Sequence, residues 1–330
     1  MGREKMRVLV TGHIPQEIVD LLRKEHEVEV HTEDRPMERG ELLQSVKDKQ
    51  GLLCMITDKV DKELLNAAAA LKMVANCAVG FDNIDVQALS ERGIPVSNTP
   101  GVLTETTADL AFTLILATAR RVVEGDRRVR SGEFKFMAPF LFLGREVQGK
   151  TLGIIGLGRI GKAVARRGLG FNMRVLYYGR HPLDAAEEKT LNLHYASLQE
   201  LLSDADFVSI HVPLNEETRH LIGPGELDLM KPGAFLINTS RGPIVDEEAL
   251  VQALKEGKIA GAGLDVYEKE PLLTPGLAEL PHVVLLPHVG SATWETRTKM
   301  AALAAENLLM GLKGGMPPDC INREAVSRKA

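Results

Sequence analysis

The stretch "TLGIIGLGRIG", Thr151 to Gly161, decides the fold. An apolar, strand-like run ends in Gly156, Leu157, Gly158, Arg159, Ile160 and Gly161, which have the spacing GxGxxG, and passes into a helix-like segment ending near Leu169. Each glycine has a physical task. The first permits a tight turn, the second lets backbone approach a pyrophosphate, and the third lets helix and strand pack closely while the helix N-terminus faces the negative charge. Alone the spacing is weak. With a strand before it, a helix after it and a second strand "RVLYY" (Arg174–Tyr178), it predicts a dinucleotide site. The same residues also read as GxxxxGK, the start of an NTPase phosphate loop. That loop needs a hydroxyl for Mg²⁺ where Ala163 stands, so this reading is rejected.

The surroundings repeat the pattern. Upstream, "RVLVT", "VEVH", "GLLCMIT", "KMVAN" and "IPVSN" alternate with amphipathic segments; downstream, "FVSIHV", "AFLINTS", "GAGLDV" and "VVLLPH" do the same. This rhythm predicts an α/β fold whose parallel sheets carry helices on both faces. At 330 residues the chain exceeds what one core usually serves. "NTPGVLTETTADLAF" (Asn98–Phe112) is read as one long bridging helix, with Thr104 as its N-cap, running past Arg121. Ala292–Leu312 is read as a helix returning to the first domain. The expected division is 1–101 plus 292–330 as a discontinuous substrate domain, with 102–291 binding the dinucleotide.

Composition narrows the function. A net charge of −5 gives no electrostatic case for nucleic acid or an anionic membrane. Cys54, Cys77 and Cys320 lack CxxC spacing, which argues against a zinc site or a disulfide framework and for a reducing compartment. No metal is expected. The N-terminus has no signal-peptide pattern, and Met6 stands where myristoylation at Gly2 would want Ser or Thr. The apolar run Leu110–Ala119 is too short to span a bilayer. A cytoplasmic enzyme without a membrane partner is expected.

The second strand raises the question of which cofactor is used. Dinucleotide sites commonly end this strand in an acid that accepts from the ribose 2′-hydroxyl. Here the residues are Tyr178, Gly179, Arg180 and His181. Without the acid, repulsion of a 2′-phosphate disappears. The Arg180 guanidinium can pair with that phosphate, and His181 can add a donor. The plainer alternative is a solvated loop arginine. The combination predicts NADP(H) as the preferred cofactor, with NAD(H) possible.

Ligands of open parallel sheets sit beyond the carboxyl ends of the strands. Those ends carry Pro213, then Thr239, Ser240 and Arg241, then Asp265 with Glu268 and Glu270, and finally His288, Val289 and Gly290. Beside a nicotinamide this set suits carbonyl reduction. The cofactor supplies hydride, and histidine supplies a proton near working pH. A carboxylate orients the imidazole, and arginine polarises the carbonyl and grips a carboxylate. Spacing leaves Glu268 and Glu270 both open as that carboxylate.

At these residues the chain resembles the D-2-hydroxyacid dehydrogenases, and among them the glyoxylate/hydroxypyruvate reductases. "NCAVGFDNID", "NTPGVLTETTADLAF", "GKTLGIIGLGRIG", "LINTSRGPIVDEEAL", "GAGLDVYEKEP" and "LLPHVGSAT" carry the likeness over most of the chain. The resemblance implies a catalytic set of Arg241, Glu270 and His288, which removes Glu268. It implies that Val79 and Gly80 present N–H groups to the substrate carboxylate across a cleft between two Rossmann-like or flavodoxin-like domains. Residues Gly158 to Gly161, Thr239 to Arg241, Asp265 and His288 to Gly290 should line the cofactor. It also implies a homodimer formed through the cofactor domains, and "FKFMAPFLFLG" (Phe134–Gly144) is read as serving the dimer or the mouth of the cleft in preference to a core role. Leu53 and Met55 are candidates for shaping the substrate pocket.

The implied reactions are glyoxylate to glycolate and hydroxypyruvate to D-glycerate. A short phosphoglycerate-type dehydrogenase is an alternative. Formate dehydrogenases, which have Gln where Glu270 stands, are less favoured. Another is a non-catalytic nucleotide-sensing protein on the same fold, since fold does not fix function.

Overall fold

The structure, a computed structural model, describes residues 5–327, so Gly2 and the outermost ends of the expected first domain lie outside the described residues. The chain forms two compact units, Met1–Leu103 with Ala292–Ala330, and Thr104–Ser291.

The first unit contains β1 (Arg7–Val10), α1 (Gln16–Glu25), β2 (Glu27–Val30), α2 (Arg39–Ser45), β3 (Gly51–Cys54), α3 (Lys62–Ala67), β4 (Met73–Asn76), α4 (Val86–Glu91) and β5 (Val96–Ser97). Its five strands are parallel in the order β2-β1-β3-β4-β5. The order reverses between β1 and β3, so the crevice that such sheets use for ligands lies at the ends of these two strands. Strand alternation sorts the core. Leu9, Leu52 and Val74 pack with α2, α3 and α4, whereas Val8, Val10, Leu53, Met73 and Ala75 pack with α1 and the returning helix.

The second unit opens with α5 (Thr104–Ala119) and α6 (Val122–Arg130). It continues through β6 (Thr151–Ile155), α7 (Arg159–Gly170), β7 (Arg174–Tyr178), α8 (Ala185–Leu191), β8 (Leu193–Tyr195), α9 (Leu198–Asp204) and β9 (Phe207–Ile210). Next come α10 (Pro224–Leu229), β10 (Phe235–Asn238), α11 (Glu247–Lys255), β11 (Gly261–Leu264) and β12 (Val283–Leu285). Seven parallel strands lie in the order β12-β11-β10-β9-β6-β7-β8. The reversal falls between β6 and β9, which puts the glycine turn after β6 at the switch point. The chain then returns to the first unit as α12 (Trp294–Leu312) and ends in α13 (Arg323–Ser327).

Two local expectations are corrected. The helix read as continuous past Arg121 stops at Ala119, and Arg121 takes a left-handed φ of 53° before α6 begins. Thr118 contributes to the break, because its hydroxyl donates back to the carbonyls of Leu114 and Ile115 and competes with the helical ladder. Thr104 is the first helical residue and not a cap. No described helix is long and apolar enough to cross a membrane.

Candidate active site

The glycine turn is built as its chemistry requires. Gly156 has φ of +98°, and a Cβ there would meet the His211 carbonyl at 2.7 Å. A Cβ on Gly161 would lie 2.2 Å from Gly156 O, so helix and turn touch only because residue 161 is glycine. Gly158 differs: a Cβ there would meet nothing within 4 Å. It begins α7 without any side-chain cap, so the first-turn N–H groups of Arg159, Ile160 and Gly161 face this open space. Leu157 and Ile160 turn their side chains into the core, which leaves the turn only their backbone. Arg159 is exposed and has no polar partner among the described residues.

Beyond β7, Tyr177 is buried and its hydroxyl accepts from Leu183 N at 2.7 Å while donating to Glu188 Oε1 at 2.8 Å. Burial, with Glu188 alongside, pushes this phenol up to about 12. These bonds close the Gly179–Pro182 turn at its base. Arg180 and His181 stand exposed on it, and neither has a protein partner among the described residues. Thr239, just past β10, has a buried hydroxyl without a protein partner. An open cradle at a helix N-terminus, a free arginine beyond the second strand and an unsatisfied hydroxyl at the same rim fit a dinucleotide phosphate chain.

Arg241 lies past the end of β10. Asn238, wholly buried, holds the turn by accepting from Ser240 N at 3.0 Å and donating to Arg241 O at 2.9 Å. The Ser240 hydroxyl donates to Val212 O, tying the turn to the segment before Pro213, whose own carbonyl accepts from Thr218. Asn238 was not foreseen, because an Asn closing an apolar strand gives no signal of the two bonds that it makes.

His288 is the other pole. It takes a left-handed φ of 53°, and its N–H donates to Asp265 O at 2.9 Å. The Asp265 carboxylate accepts from Val289 N and Gly290 N, both at 2.7 Å. Asp265 was expected to line the cofactor, but its side chain clamps the histidine loop. Its burial raises the carboxyl above the usual range despite those bonds. Thr107 on α5 adds a bond to Gly290 O at 3.2 Å.

The two glutamates separate cleanly. Glu270 Oε2 lies 2.9 Å from His288 Nδ1, and Glu270 Oε1 accepts from Tyr267 N at 2.9 Å. Burial works to raise this carboxyl, but the hydrogen bond and charge of His288, with Arg241 nearby, hold it below the ordinary range. Glu268 instead pairs with His220 at 2.8 Å and faces Glu247. Since Nδ1–H donates to Glu270, Nε2 is the atom left to exchange a proton, and it has no protein partner among the described residues.

Within the first unit, Val79 and Gly80 lie in the loop after β4, at the carboxyl end of its sheet. Met55 is half-buried just past β3. Leu53 does not share that position. It is fully buried among Val10, Met73 and Ala75, so its side chain serves the core. A cluster of His, Cys, Asp or Glu able to hold a metal is absent among the described residues.

Residues 112–290 match the family model described as D-isomer specific 2-hydroxyacid dehydrogenase, NAD binding domain. The glyoxylate reductase of Thermococcus litoralis is 51% identical over 98% of this chain and 98% of its own. The crystal structure of the TT0316 protein from Thermus thermophilus superposes with a TM-score of 0.90 at 48% identity, covering 96% of this chain and 100% of that one. The NADPH-dependent glyoxylate/hydroxypyruvate reductase of Sinorhizobium meliloti, solved with NADP and malonate, superposes with a TM-score of 0.86 at 35% identity, covering 96% and 97%.

Proposed function

The chain belongs to the D-isomer specific 2-hydroxyacid dehydrogenase family and is an NAD(P)-dependent oxidoreductase, and from that premise we propose that it reduces glyoxylate, and hydroxypyruvate with it, to the 2-hydroxy acids, preferring NADPH. The observation that carries this reading is the His288–Glu270 pair, 2.9 Å apart, on the sheet rim that also holds Arg241 and the glycine cradle. A nicotinamide held there would supply the hydride that the carbonyl carbon takes up. His288 Nε2 gives the carbonyl oxygen its proton. Glu270 fixes the tautomer and stabilises the imidazolium form before transfer. Arg241 polarises the carbonyl and pairs with the substrate carboxylate, to which the N–H groups of Val79 and Gly80 also donate. Met55 is the neighbouring side chain that shapes the pocket for the remainder of the substrate.

Gly156 to Gly161, Pro213, Thr239 to Arg241 and Val289–Gly290 hold the cofactor, Asp265 acting through the histidine loop. Arg180, with His181 beside it, reads the 2′-phosphate, which is the basis for NADPH over NADH. The protein acts as a homodimer in the cytoplasm. The exposure of Phe134, Phe136 and Phe140 at 61%, 67% and 89% supports an apolar segment meant for a second copy. The test is to mix protein, NADPH and glyoxylate and follow the absorbance of the reduced nicotinamide. Steady loss supports the reading, and no loss across several 2-oxo acids returns the chain to a nucleotide-sensing role.

A further inference from the structure

The loop after β4 is held by three successive carbonyl oxygens. Ala78 O accepts from Thr99 N at 2.9 Å, Val79 O from Asn98 Nδ2 at 2.8 Å, and Gly80 O from Asn76 Nδ2 at 2.8 Å. In a planar trans peptide the C=O of one residue and the N–H of the next point in opposite directions. Fixing those three carbonyls therefore fixes the N–H groups of Val79, Gly80 and Phe81, each turned away from the donor that holds its plane. None of the three meets a protein acceptor among the described residues.

Asn76 is fully buried at the end of an apolar strand, where an amide side chain is costly unless its bonds are made. Its Oδ1 accepts from the Cys54 thiol at 3.7 Å and its Nδ2 is committed to the loop. The sheet does not need it, since β4 pairs with β3 and β5 through backbone. A second set of bonds braces the loop further along, where Asn83 Nδ2 donates to Asp58 O at 2.8 Å and to Met55 O at 3.3 Å. The carboxylate of Asp58 accepts from Met55 N at 2.7 Å and from the Thr11 hydroxyl. The two loops at this end of the sheet are thus tied together.

We propose that Asn76 and Asn98 are positioning residues that present the N–H groups of Val79, Gly80 and Phe81 as a three-donor cradle for the substrate carboxylate. The inference rests on the reading that this loop binds that carboxylate, and it adds Phe81 and both asparagines to it. Successive N–H groups of this kind bind anions through fixed partial charge, and the affinity depends on the planes being set beforehand.

The experiment is steady-state kinetics of Asn76→Ala, Asn98→Ala and Gly80→Pro in the full chain, with glyoxylate and with the cofactor varied separately. Each asparagine variant should raise the KM for glyoxylate by about tenfold, the scale of a weakened charge-assisted hydrogen bond. The KM for the cofactor and turnover at saturating glyoxylate should change little, a split that general loosening of the fold would not give. Gly80→Pro removes one of the three donors outright and tests the loop reading itself. If it leaves the glyoxylate KM unchanged, the loop is not the carboxylate site and the inference falls with it. If Gly80→Pro raises the KM and both asparagine variants do not, only the inference is overturned. Asn98 is half-buried, so Asn98→Ala decides the matter if Asn76→Ala does not fold.

Discussion

Glu270 Oε2 and His288 Nδ1 lie 2.9 Å apart, whereas Glu268, two residues earlier, is bonded to His220. Glu270→Gln leaves the side chain its shape but removes the charge that supports the imidazolium. It should lower kcat by about 10- to 100-fold, part of the ~10²–10⁴ attributed to a positioned general acid. Glu268→Gln should leave kcat within about twofold, because that carboxylate is bonded away from the proton path. Equal losses in the two variants would mean that the glutamates have been assigned wrongly.

The same pair sets a dependence of stability on pH. The folded-state pKa of Glu270 lies below its ordinary 4.5, because the bond and charge of His288 outweigh burial. Its contribution to stability is therefore present above that ordinary value and is lost as pH falls through the lowered folded value. Wild type should be more stable than Glu270→Gln near neutral pH, and the gap should narrow as pH falls below the ordinary 4.5 and toward the lowered folded value. Urea midpoints across that range measure it. A gap that persists unchanged in acid contradicts the assigned direction.

Arg180 stands exposed and unpartnered past β7. Arg180→Ala should raise the KM for NADPH by about 10- to 100-fold, the scale of charged hydrogen bonds to phosphate, and leave NADH nearly alone. Parallel changes for both cofactors would make it an ordinary surface arginine.

The phenylalanine-rich segment predicts association. Sedimentation should give the mass of two chains, and Phe136→Glu together with Phe140→Glu should shift the protein toward one chain. A wild-type monomer at micromolar concentration would contradict the dimer.

Much of this was legible in the sequence because the signals were local. The glycine turn announces itself through residue type at fixed spacing, and the parallel sheets through apolar runs between amphipathic segments. What spacing alone left open was which partner each side chain takes. Glu268 and Glu270 both lie in the turn before Pro271, and only the geometry separates one bonded to His288 from one bonded to His220. Asp265 was assigned to the cofactor by the family resemblance, and spacing gave no sign that its carboxylate also accepts from Val289 N and Gly290 N. Leu53 and Met55 share one face of the strand and differ only in depth, Leu53 being fully buried within the sheet and Met55 half-buried past its end. The short β8 was not foreseen, since three residues give no periodicity to read. The helix break at Arg121 follows from a left-handed residue that is not glycine, a choice no local rule demands.

The central claim is that His288 passes the proton in a reduction of a 2-oxo acid. Its most direct test is the turnover of glyoxylate with NADPH by His288→Asn beside wild type, with cofactor binding checked separately. Wild type should be active, the variant slower by ~10²–10⁴-fold, and cofactor binding largely kept. A variant that turns over glyoxylate at close to the wild-type rate would contradict it.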